Sequence, residues 1–450
     1  MLKPYLRFKL IPLHIFLLVF LSAPLHAQTP PMVFRGALIY PIEGEPIANG
    51  VLVVQGGKIL AVGKAADVVI PAGAVVQDVS GKVVMPGLVD THSHIGRGDG
   101  ADASAPLQPS VRIMDALDPQ SDGFKRARAG GLTTVNVMPG SGHLLSGQTA
   151  YLKLRDARTI NDLLLCVTPN KPVDVLDPDC IYGGIKMANG TNSIRPAPFP
   201  GTRAKSAAMV RALFVRAQEY RDKIKAAAGN AERMPKRELE LEALVQVLNG
   251  QRIVHHHTHR ADDILTVLRI AKEFGFRVVL HHVSEGGKVA AEIAAAKVPC
   301  SIITIDSPGG KLEAVNLMYE TGAALEKAGV LTAYHTDDGI TDSRLFLRSA
   351  AMGVRGGMSR QKALEAVTLA GAKMLDLDWR VGSLKAGKDA DFIVLSGDPL
   401  SVYTHIEQTW IEGRKLFDRS NPEDYKFAVG GYNAYRDTGG DGLDDKGGER

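Results

Sequence analysis

Eight apolar strand candidates that alternate with helical periodicity constrain the fold of this chain more than any other feature. Helical stretches are clearest at residues 261–274, 288–297 and 313–327. Strands that alternate with helices favour a parallel sheet, and eight such units are typical of a (β/α)8 TIM barrel in the α/β class. The strand candidates are residues 88–92, 133–137, 163–167, 184–188, 252–257, 277–282, 298–303 and 330–337.

The two flanks of this alternating region are rich in strand patterns. Residues 50–55 and 58–62 alternate around Gly56-Gly57, a dipeptide suited to a tight hairpin turn. Near the other end, residues 391–395 and 409–416 have strand character. The sequence therefore predicts short strands and turns outside the region of alternating strands and helices.

The first 27 residues have the layout of a secretory signal peptide. Lys3, Arg7 and Lys9 precede an apolar run at 10–20, and small residues follow up to Ala27. The alternative, a membrane anchor, needs about twenty apolar residues, and this run is short and broken by a proline and a histidine. We expect cleavage near Ala27, secretion into the periplasm where the source has two membranes, and no membrane association afterwards.

Charge and cysteine content exclude several functional classes. The formal net charge is +4, and three basic residues and no acidic residue lie in the leader, so the mature value is 4 − 3 = +1. This balance indicates no nucleic-acid partner. The three cysteines, Cys166, Cys180 and Cys300, allow at most one bridge, so disulfides do not organise the fold.

Two segments depart from the regular alternation. Residues 189–250 form a long insertion with a proline-rich turn at 195–200 and a charged helical stretch at 204–225. Because loops after barrel strands face the active site, this insertion is either a lid or specificity element or a solvated helical hairpin. The tail at 430–450 is rich in Gly and Asp, and we expect it to be disordered.

Two histidines stand at the end of the first strand candidate, in Leu88-Val89-Asp90-Thr91-His92-Ser93-His94. Alternation along a strand points His92 and His94 to the same side. Two imidazoles that converge at a strand end are a natural half-site for zinc or another borderline metal. The alternative is a pair of incidental polar residues.

Two further strand ends carry clustered histidines. Four histidines lie within residues 255–259, and alternation prevents all of them from binding one ion. His281 and His282 point in opposite directions, so only one of them faces the interior of the barrel. A single histidine at a strand end is more often a polar residue with its hydrogen bonds made within the protein than a metal ligand. Their recurrence at successive strand ends indicates a metal site.

A carboxylate completes the pattern. Asp337 lies at the end of the last strand candidate, in Tyr334-His335-Thr336-Asp337-Asp338. A carboxylate there could both bind a metal and accept a proton from its water.

The segment from Pro86 to His94 resembles the first-strand motif of the amidohydrolase superfamily. Residues 381–391 resemble the stretch where the chain of that superfamily leaves the barrel and re-enters a small β-sandwich. The resemblance extends over residues 33–417 and is nearest to the branch of imidazolonepropionase and prolidase-like dipeptidases. It implies a barrel at 86–378 and a sandwich composed of 28–85 and 379–429.

This resemblance also implies roles for individual residues. His92 and His94 would bind the first metal, and Asp337 would bind metal and shuttle the proton of the attacking water. His257 is preferred to its neighbour His255 because it precedes the helix entry at 260–262 by three residues. His282 is preferred to His281 because it is the last strand residue. His257 and His282 would be ligands, and His282 or a neighbour would stabilise the developing oxyanion.

The fourth strand departs from a simple histidine pattern. Two-metal members of the superfamily carry a carboxylated lysine or a glutamate there, and the candidate is Lys186 in Gly183-Gly184-Ile185-Lys186-Met187. Desolvation would favour the neutral amine that reacts with carbon dioxide. The alternatives are a surface lysine and a lysine that contacts a carboxylate of the substrate. The sequence therefore leaves open whether the site holds one ion or two.

The sequence thus predicts a metal-dependent hydrolase of a carbon–nitrogen bond, with a divalent cofactor, zinc by preference. A small molecule is the expected partner, and export favours a peptide or an N-acyl amino acid. The resemblance is compatible with a homo-oligomer. The alternatives are a catalytically silent scaffold and a metal-storage protein, but storage does not explain His92, His94 and Asp337 at separate strand ends.

Overall fold

The structure, a computed structural model, describes residues 29–98, 102–168, 177, 180–303 and 311–431. The predicted leader at 1–27 and almost all of the predicted disordered tail at 430–450 lie outside these residues. Among the described residues, no helix is both long enough and apolar enough to cross a membrane.

Strands and helices alternate through the middle of the chain, and strands dominate its flanks. The strands are β1 (Met32–Ile39), β2 (Ile47–Gln55), β3 (Lys58–Lys64), β4 (Val75–Asp78), β5 (Val83–Pro86), β6 (Leu88–Ser93), β7 (Leu132–Val137), β8 (Leu145–Gln148), β9 (Ala150–Lys153), β10 (Ile185–Ala188), β11 (Val254–Thr258), β12 (Val278–His282), β13 (Cys300–Ile302), β14 (Thr332–Tyr334), β15 (Phe392–Leu395), β16 (Ile406–Ile411) and β17 (Arg414–Asp418). The helices are α1 (Asp122–Ala129), α2 (Arg203–Ala227), α3 (Leu239–Leu248), α4 (Ala261–Phe274), α5 (Ala290–Ala296), α6 (Thr321–Lys327), α7 (Phe346–Arg355), α8 (Arg360–Ala366), α9 (Leu369–Met374) and α10 (Pro422–Ala428).

The first and last strands of the chain share one sheet. Its order is β17-β16-β15-β5-β1-β2-β3, with β4 paired to β1. The two halves join where β5 pairs antiparallel with β15. Phe34 from the first half packs against Phe392 and Trp410 from the second, with ring centroids 4.8 Å and 4.9 Å apart. The flanking segments therefore share one hydrogen-bonded sheet with an aromatic core of its own.

The middle of the chain forms two further sheets, and their pairings connect. One has the order β14-β13-β12-β11-β10-β8, with parallel pairs from β10 to β14, and the other has the order β6-β7-β9. Thr149 alone separates β8 from β9. On the opposite side, Ser93 at the end of β6 bridges Asp338 just beyond β14. The result is a mixed α/β fold in which the carboxyl ends of the parallel strands lie together.

The prediction of a third strand at residues 163–167 is wrong. The neighbour of β7 is instead β9, which pairs with it antiparallel, and residues 163–167 contribute only an isolated bridge between Leu164 and Leu152. Leu163, Leu164 and Leu165 are buried beside β9, which explains their apolar character without a strand. The polar residues of Ser146-Gly147-Gln148-Thr149 concealed the true strands in the sequence.

Two other predicted elements need correction. Residues 409–416 form two strands, β16 and β17, because Glu412 and Gly413 turn the chain with φ angles of 49° and 71°. The helix predicted at 313–327 is limited to α6, and a 3-10 turn, Leu312–Ala314, precedes it. The helix predicted at 261–274 and the hairpin turn at Gly56-Gly57 are confirmed.

The long insertion contributes to the core. On its helix α2, Phe214 is buried and stacks on Phe276 at 4.9 Å between ring centroids. Phe214 also contacts Phe274 at the end of α4. The helical part of the insertion therefore packs against the side of the fold and is not a solvated hairpin, whereas its first residues follow β10 at the strand ends.

A buried ionic cluster links the shared flanking sheet to the middle of the chain. Lys153 at the end of β9 is fully buried, and its Nζ donates to Asp389 at 2.6 Å and to Asp391. Asp389 also accepts hydrogen bonds from Arg380 and from Lys58, whose side chain is 46% exposed. Each buried charge in this cluster thus has an opposite charge beside it.

Candidate metal centre

The backbone fixes the ends of β6 and β14 side by side. Asp337 N donates to His92 O at 2.9 Å, and His94 N donates to Asp338 O at 3.0 Å. Below them, the Asp90 carboxylate accepts from the backbone N–H groups of His92 and Thr336, each at 3.1 Å. Burial raises the pKa of Asp90 to about 7, although these hydrogen bonds favour its charged form. Asp90 therefore positions the strand ends.

His92, His94 and Asp337 converge at these strand ends. The two Nε2 atoms lie 3.3 Å apart, and Asp337 Oδ1 lies 3.2 Å from His92 Nε2 and 3.0 Å from His94 Nε2. His94 Nδ1 donates to Met138 O at 2.8 Å, so the lone pair of neutral His94 is on Nε2 and faces the carboxylate oxygen. Two facing lone pairs require a cation or an added proton between them.

The two neighbouring aspartates have different environments. Arg126 Nη2 donates to both carboxylate oxygens of Asp338 at 2.9 Å and 2.8 Å, away from the histidines. Burial disfavours the charge of Asp337, but the contacts with His92 and His94 outweigh it and hold its pKa well below the usual range. Asp337 is thus the ionised group that the strand ends present.

Lys186 on β10 belongs to the same cluster. Its side chain is fully buried, so the alternative of a surface lysine is wrong. Lys186 Nζ lies 2.9 Å from His92 Nε2 and 3.0 Å from Met138 Sδ. Burial and the charge of Lys186 lower the pKa of His92, which keeps this imidazole neutral.

His257 and His282 form a second group together with His259, which the sequence analysis did not assign. Their potential ligand atoms lie within 4.8 Å of one another, and the rings of His257 and His282 are 4.3 Å apart between centroids. Burial lowers the pKa of His257, His259 and His282 well below the usual value, and the charge of Lys311 adds to this effect at His257 and His259. The neutral form of histidine, which is the form that binds a metal, is therefore favoured in all three.

His255 and His281, the alternatives to His257 and His282 in the sequence analysis, contact each other. His255 Nδ1 lies 3.0 Å from His281 Nε2, and His255 Nε2 lies 2.8 Å from the hydroxyl of Tyr151. His281 could also group with His92 and His335, but His281 and His335 are fully buried. The side chains of His94 and Asp337 are each 16% exposed, so their group is the accessible one.

Backbone strain coincides with this cluster. His282, Val283 and Asp337 adopt φ angles of 70°, 53° and 51°, in the left-handed region that non-glycine residues rarely occupy. Such residues concentrate at functional sites because the surrounding structure must enforce them.

Comparison with known proteins identifies relatives of most of the chain. Residues 251–417 match the Amidohydrolase family. The crystal structure of an amidohydrolase from Thermotoga maritima superposes with a TM-score of 0.79 at 32% identity, over 86% of this chain and 100% of that one. A prolidase-type structure from Bifidobacterium longum, 18% identical with a TM-score of 0.55 over 89% of this chain and 98% of that one, shares the fold.

Two curated relatives extend the comparison. The amidohydrolase tasK of Hapsidospora irregularis is 28% identical over 86% of this chain, which spans only 43% of the length of that relative. The imidazolonepropionase of Fusobacterium nucleatum is 22% identical over 82% of this chain and 92% of its own length.

Proposed function

The chain belongs to the amidohydrolase superfamily, hydrolases that act on carbon–nitrogen bonds, and from this premise we propose that it hydrolyses an amide or peptide-like bond with a divalent metal cofactor. The observation that carries the proposal is the convergence of His92, His94 and Asp337 at adjacent strand ends, with Lys186 beside them. These four residues follow one another along the chain in the order that the sequence motifs predict.

The side chains of the cluster fit a metal. His282 Nε2 and His259 Nε2 are buried and have no hydrogen-bond partner among the described residues, and a buried unpaired nitrogen is unfavourable unless something binds it. Neutral imidazoles and a carboxylate are donors that suit zinc. When bound, such an ion lowers the pKa of water from about 15.7 toward about 7 and polarises a carbonyl group.

We propose two ions, held by two sets of residues that Lys186 joins. His92, His94 and Asp337 form the first set, and His257 and His282 form the second. Lys186 would join the sets as a carbamate. Its neutral amine attacks carbon dioxide, a C–N bond forms, and one proton leaves, so that the neutral amine becomes an anionic oxygen donor. Burial of Lys186 disfavours its charged form and so favours the neutral amine that this reaction needs.

Asp337 moves the proton in this proposal. Its ionised carboxylate lies at the exposed edge of the cluster, where it accepts a proton from the attacking water and returns it to the leaving nitrogen. The hydrogen bond from Asp337 N to His92 O keeps the carboxylate in place for both steps.

His282 has two candidate roles, and its hydrogen bonds favour that of a ligand. Its Nδ1 lies 3.3 Å from His335 Nε2, and His335 Nδ1 lies 2.8 Å from Ser301 Oγ. This chain of hydrogen bonds fixes the ring and leaves Nε2 without a hydrogen-bond partner among the described residues, as partners beyond the ligands do in metal proteins. The oxyanion-stabilising role of His282 itself stays a prediction, and the ligand role argues against it.

We expect two zinc ions per purified wild-type chain and about one in Lys186→Met, because the substitution removes the shared donor. We also expect ¹³C-labelled bicarbonate to give a carbamate resonance in the wild type that is absent from the variant. Elemental analysis, ¹³C NMR and a hydrolysis screen of dipeptides and N-acyl amino acids are the measurements.

A matched control is Lys272→Met, which removes an exposed lysine of α4 and should change none of these results. One ion in the wild type, without a carbamate signal, would contradict the two-ion arrangement. No bound metal and no hydrolysis after reconstitution would contradict the proposed function and favour a silent scaffold.

We further propose a division into two domains. The residues at 86–378 form a TIM-type barrel, a proposal that the bridge between Ser93 and Asp338 and the contiguity of β8 and β9 support, because they connect the two inner sheets on both sides. Residues 28–85 and 379–429 form the composite β-sandwich, in agreement with the sheet that their strands share.

Export to the periplasm is also proposed, and the cysteines support it. Cys166 and Cys180 are bonded to each other, with Cα atoms 5.8 Å apart, whereas Cys300 is free and buried. Disulfides persist mainly in oxidising compartments. A small molecule such as a peptide or an N-acyl amino acid then suits the exported enzyme as substrate.

Thiol titration of unfolded protein tests this pairing. Protein recovered from the periplasm should show one reactive thiol without reductant, that of Cys300, and three after reduction. Cys300→Ala should lower both counts by one. Three thiols without reductant would contradict an oxidising destination.

A further inference from the structure

A cavity of about 410 Å³ lies between helices α2 and α4, on the side of strands β10 and β11 that these helices cover. Met187 of β10 and His256 of β11 are partners across the two strands, and both line the cavity. Alternation along β11 points His256 to the side opposite His257, which belongs to the histidine cluster. The α2–α4 cavity is therefore separate from the proposed metal centre.

Contacts at both ends of the α2–α4 cavity fix the separation of the two helices. At one end, Arg203 Nε donates to Asp263 Oδ2 at 2.9 Å. At the other end, Phe214 of α2 stacks on Phe276, just beyond α4. Between these contacts α2 presents Ala207, whose side chain is too short to fill the space. The cavity is thus a defined feature of the packing between two anchored helices.

His256 brings an unused hydrogen-bond acceptor to the cavity. The residue is only 6% exposed, and such burial favours the neutral ring. Its Nδ1 donates to the carbonyl oxygen of His257 at 2.9 Å, so the lone pair of the neutral ring is on Nε2. Nε2 makes no hydrogen bond to any residue that the structure describes. A buried acceptor in this state is unfavourable unless a bound molecule supplies a donor.

The other polar groups of the lining point to the same kind of ligand. The hydroxyl groups of Ser206 and Thr266 are already engaged, because each donates to a backbone carbonyl four residues earlier. Asn189 Oδ1 is buried and has no partner among the described residues. The two unpaired atoms, His256 Nε2 and Asn189 Oδ1, are both acceptors, so the complementary group of a ligand is an N–H or O–H donor.

The rest of the lining favours an uncharged, largely apolar molecule. Leu144, Val210 and Ile270 form part of the walls, and apolar walls hold ordered water poorly. Two charged residues of the lining, Asp262 and Arg269, have exposed side chains and so face solvent. The volume is within the range of small-molecule sites, which combine apolar walls with a few polar groups that orient the ligand.

We propose that the α2–α4 cavity is a second binding site, for a small uncharged molecule with an apolar ring system and an N–H or O–H group that donates to His256 Nε2. This inference does not depend on the proposed function, because none of the proposed metal ligands lines the cavity.

Indole and 1-methylindole test the proposal as a matched pair of probes, because they differ only in the substituent on the ring nitrogen. Calorimetric titration of the purified chain should show saturable binding of one indole with a Kd below about 1 mM. Binding of 1-methylindole should be about tenfold weaker, since it leaves the buried acceptor of His256 unpaired. Removal of bound metal with a chelator should change neither affinity.

Substitutions locate the site. His256→Phe keeps a ring but removes the acceptor, so the two probes should bind within about twofold of each other. Ala207→Phe places a ring in the cavity and should abolish binding of both probes. Ala208→Phe makes the same change at the exposed neighbouring position of α2 and should leave binding unchanged. In methyl-labelled protein, indole should shift the methionine resonance that is missing from Met187→Leu.

The opposite results overturn the inference. Absence of saturable indole binding would do so, whether water or a second copy of the chain occupies the cavity, and so would equal affinities of the two probes for the wild type. Binding that persists in Ala207→Phe, or that leaves the Met187 resonance unshifted, places the probe elsewhere. If a variant does not fold, the Met187 resonance and the ratio of the two affinities in the wild type decide. Binding lost with the metal places indole at the metal centre, which overturns this inference and leaves the proposed function intact.

Discussion

Replacing Asp337 by Asn is expected to lower kcat at least about a thousandfold while most of the bound metal remains. The asparagine keeps an oxygen atom that can act as a ligand, but it cannot accept the proton of the attacking water. The contacts with His92 and His94 lower the pKa of Asp337 against the effect of burial, so the wild-type carboxylate is held in the charged form that can accept a proton. Steady-state kinetics and elemental analysis of the same preparation are the measurements.

The control for this prediction is Asp222→Asn, which makes the same chemical change on the exposed surface of α2. It should leave both kcat and metal content unchanged. Full activity in Asp337→Asn would remove Asp337 from the mechanism. Loss of metal in proportion to activity would instead make Asp337 chiefly a ligand.

Lys153→Met is expected to lower the free energy of unfolding by about 3–5 kcal/mol, the effect of breaking a buried ion pair from one side. Lys153 is fully buried, and its removal leaves the buried carboxylate of Asp391 without its ammonium partner. Asp389 loses the same partner but keeps Arg380 and Lys58. Denaturant unfolding of the wild type and the variant measures the difference.

Lys58→Met is the matched comparison, because Lys58 Nζ contacts the same Asp389 carboxylate at 2.6 Å from a side chain that is 46% exposed. An exposed ion pair contributes about 0–1 kcal/mol, so this substitution should have a small effect. Equal effects of the two substitutions would mean that burial does not determine the strength of this cluster.

The sequence predicted those features that depend on local pattern. Alternation along a strand places His92 and His94 on one side, and the ends of β6, β11, β12 and β14 fall near the histidines and Asp337 that the motifs indicated. Parallel strands bring their carboxyl ends together, so the convergence of these side chains follows from the repeating strand and helix pattern.

Other features depend on contacts between distant segments, which local pattern does not encode. Residues 163–167 are apolar because they pack beside β9, and periodicity cannot distinguish such a segment from a strand. Lys311 Nζ lies 3.3 Å from His257 Nε2, and Glu313 close by accepts from Thr191 N, more than a hundred residues earlier in the chain. Asp90 has one local signal, a carboxylate inside an otherwise apolar strand, and its partner Thr336 lies 246 residues later in the chain.

The pairing of β5 with β15 also determines the order of assembly. Met85 and Ile393 are partners across more than three hundred residues, so β5 has its neighbour on that edge only after nearly the whole described chain has been synthesised. Closure of so long a loop is slow compared with local helix formation. The emerging polypeptide therefore carries an unpaired, apolar strand edge throughout most of its synthesis, and protection of that edge by a chaperone would have its largest effect on yield.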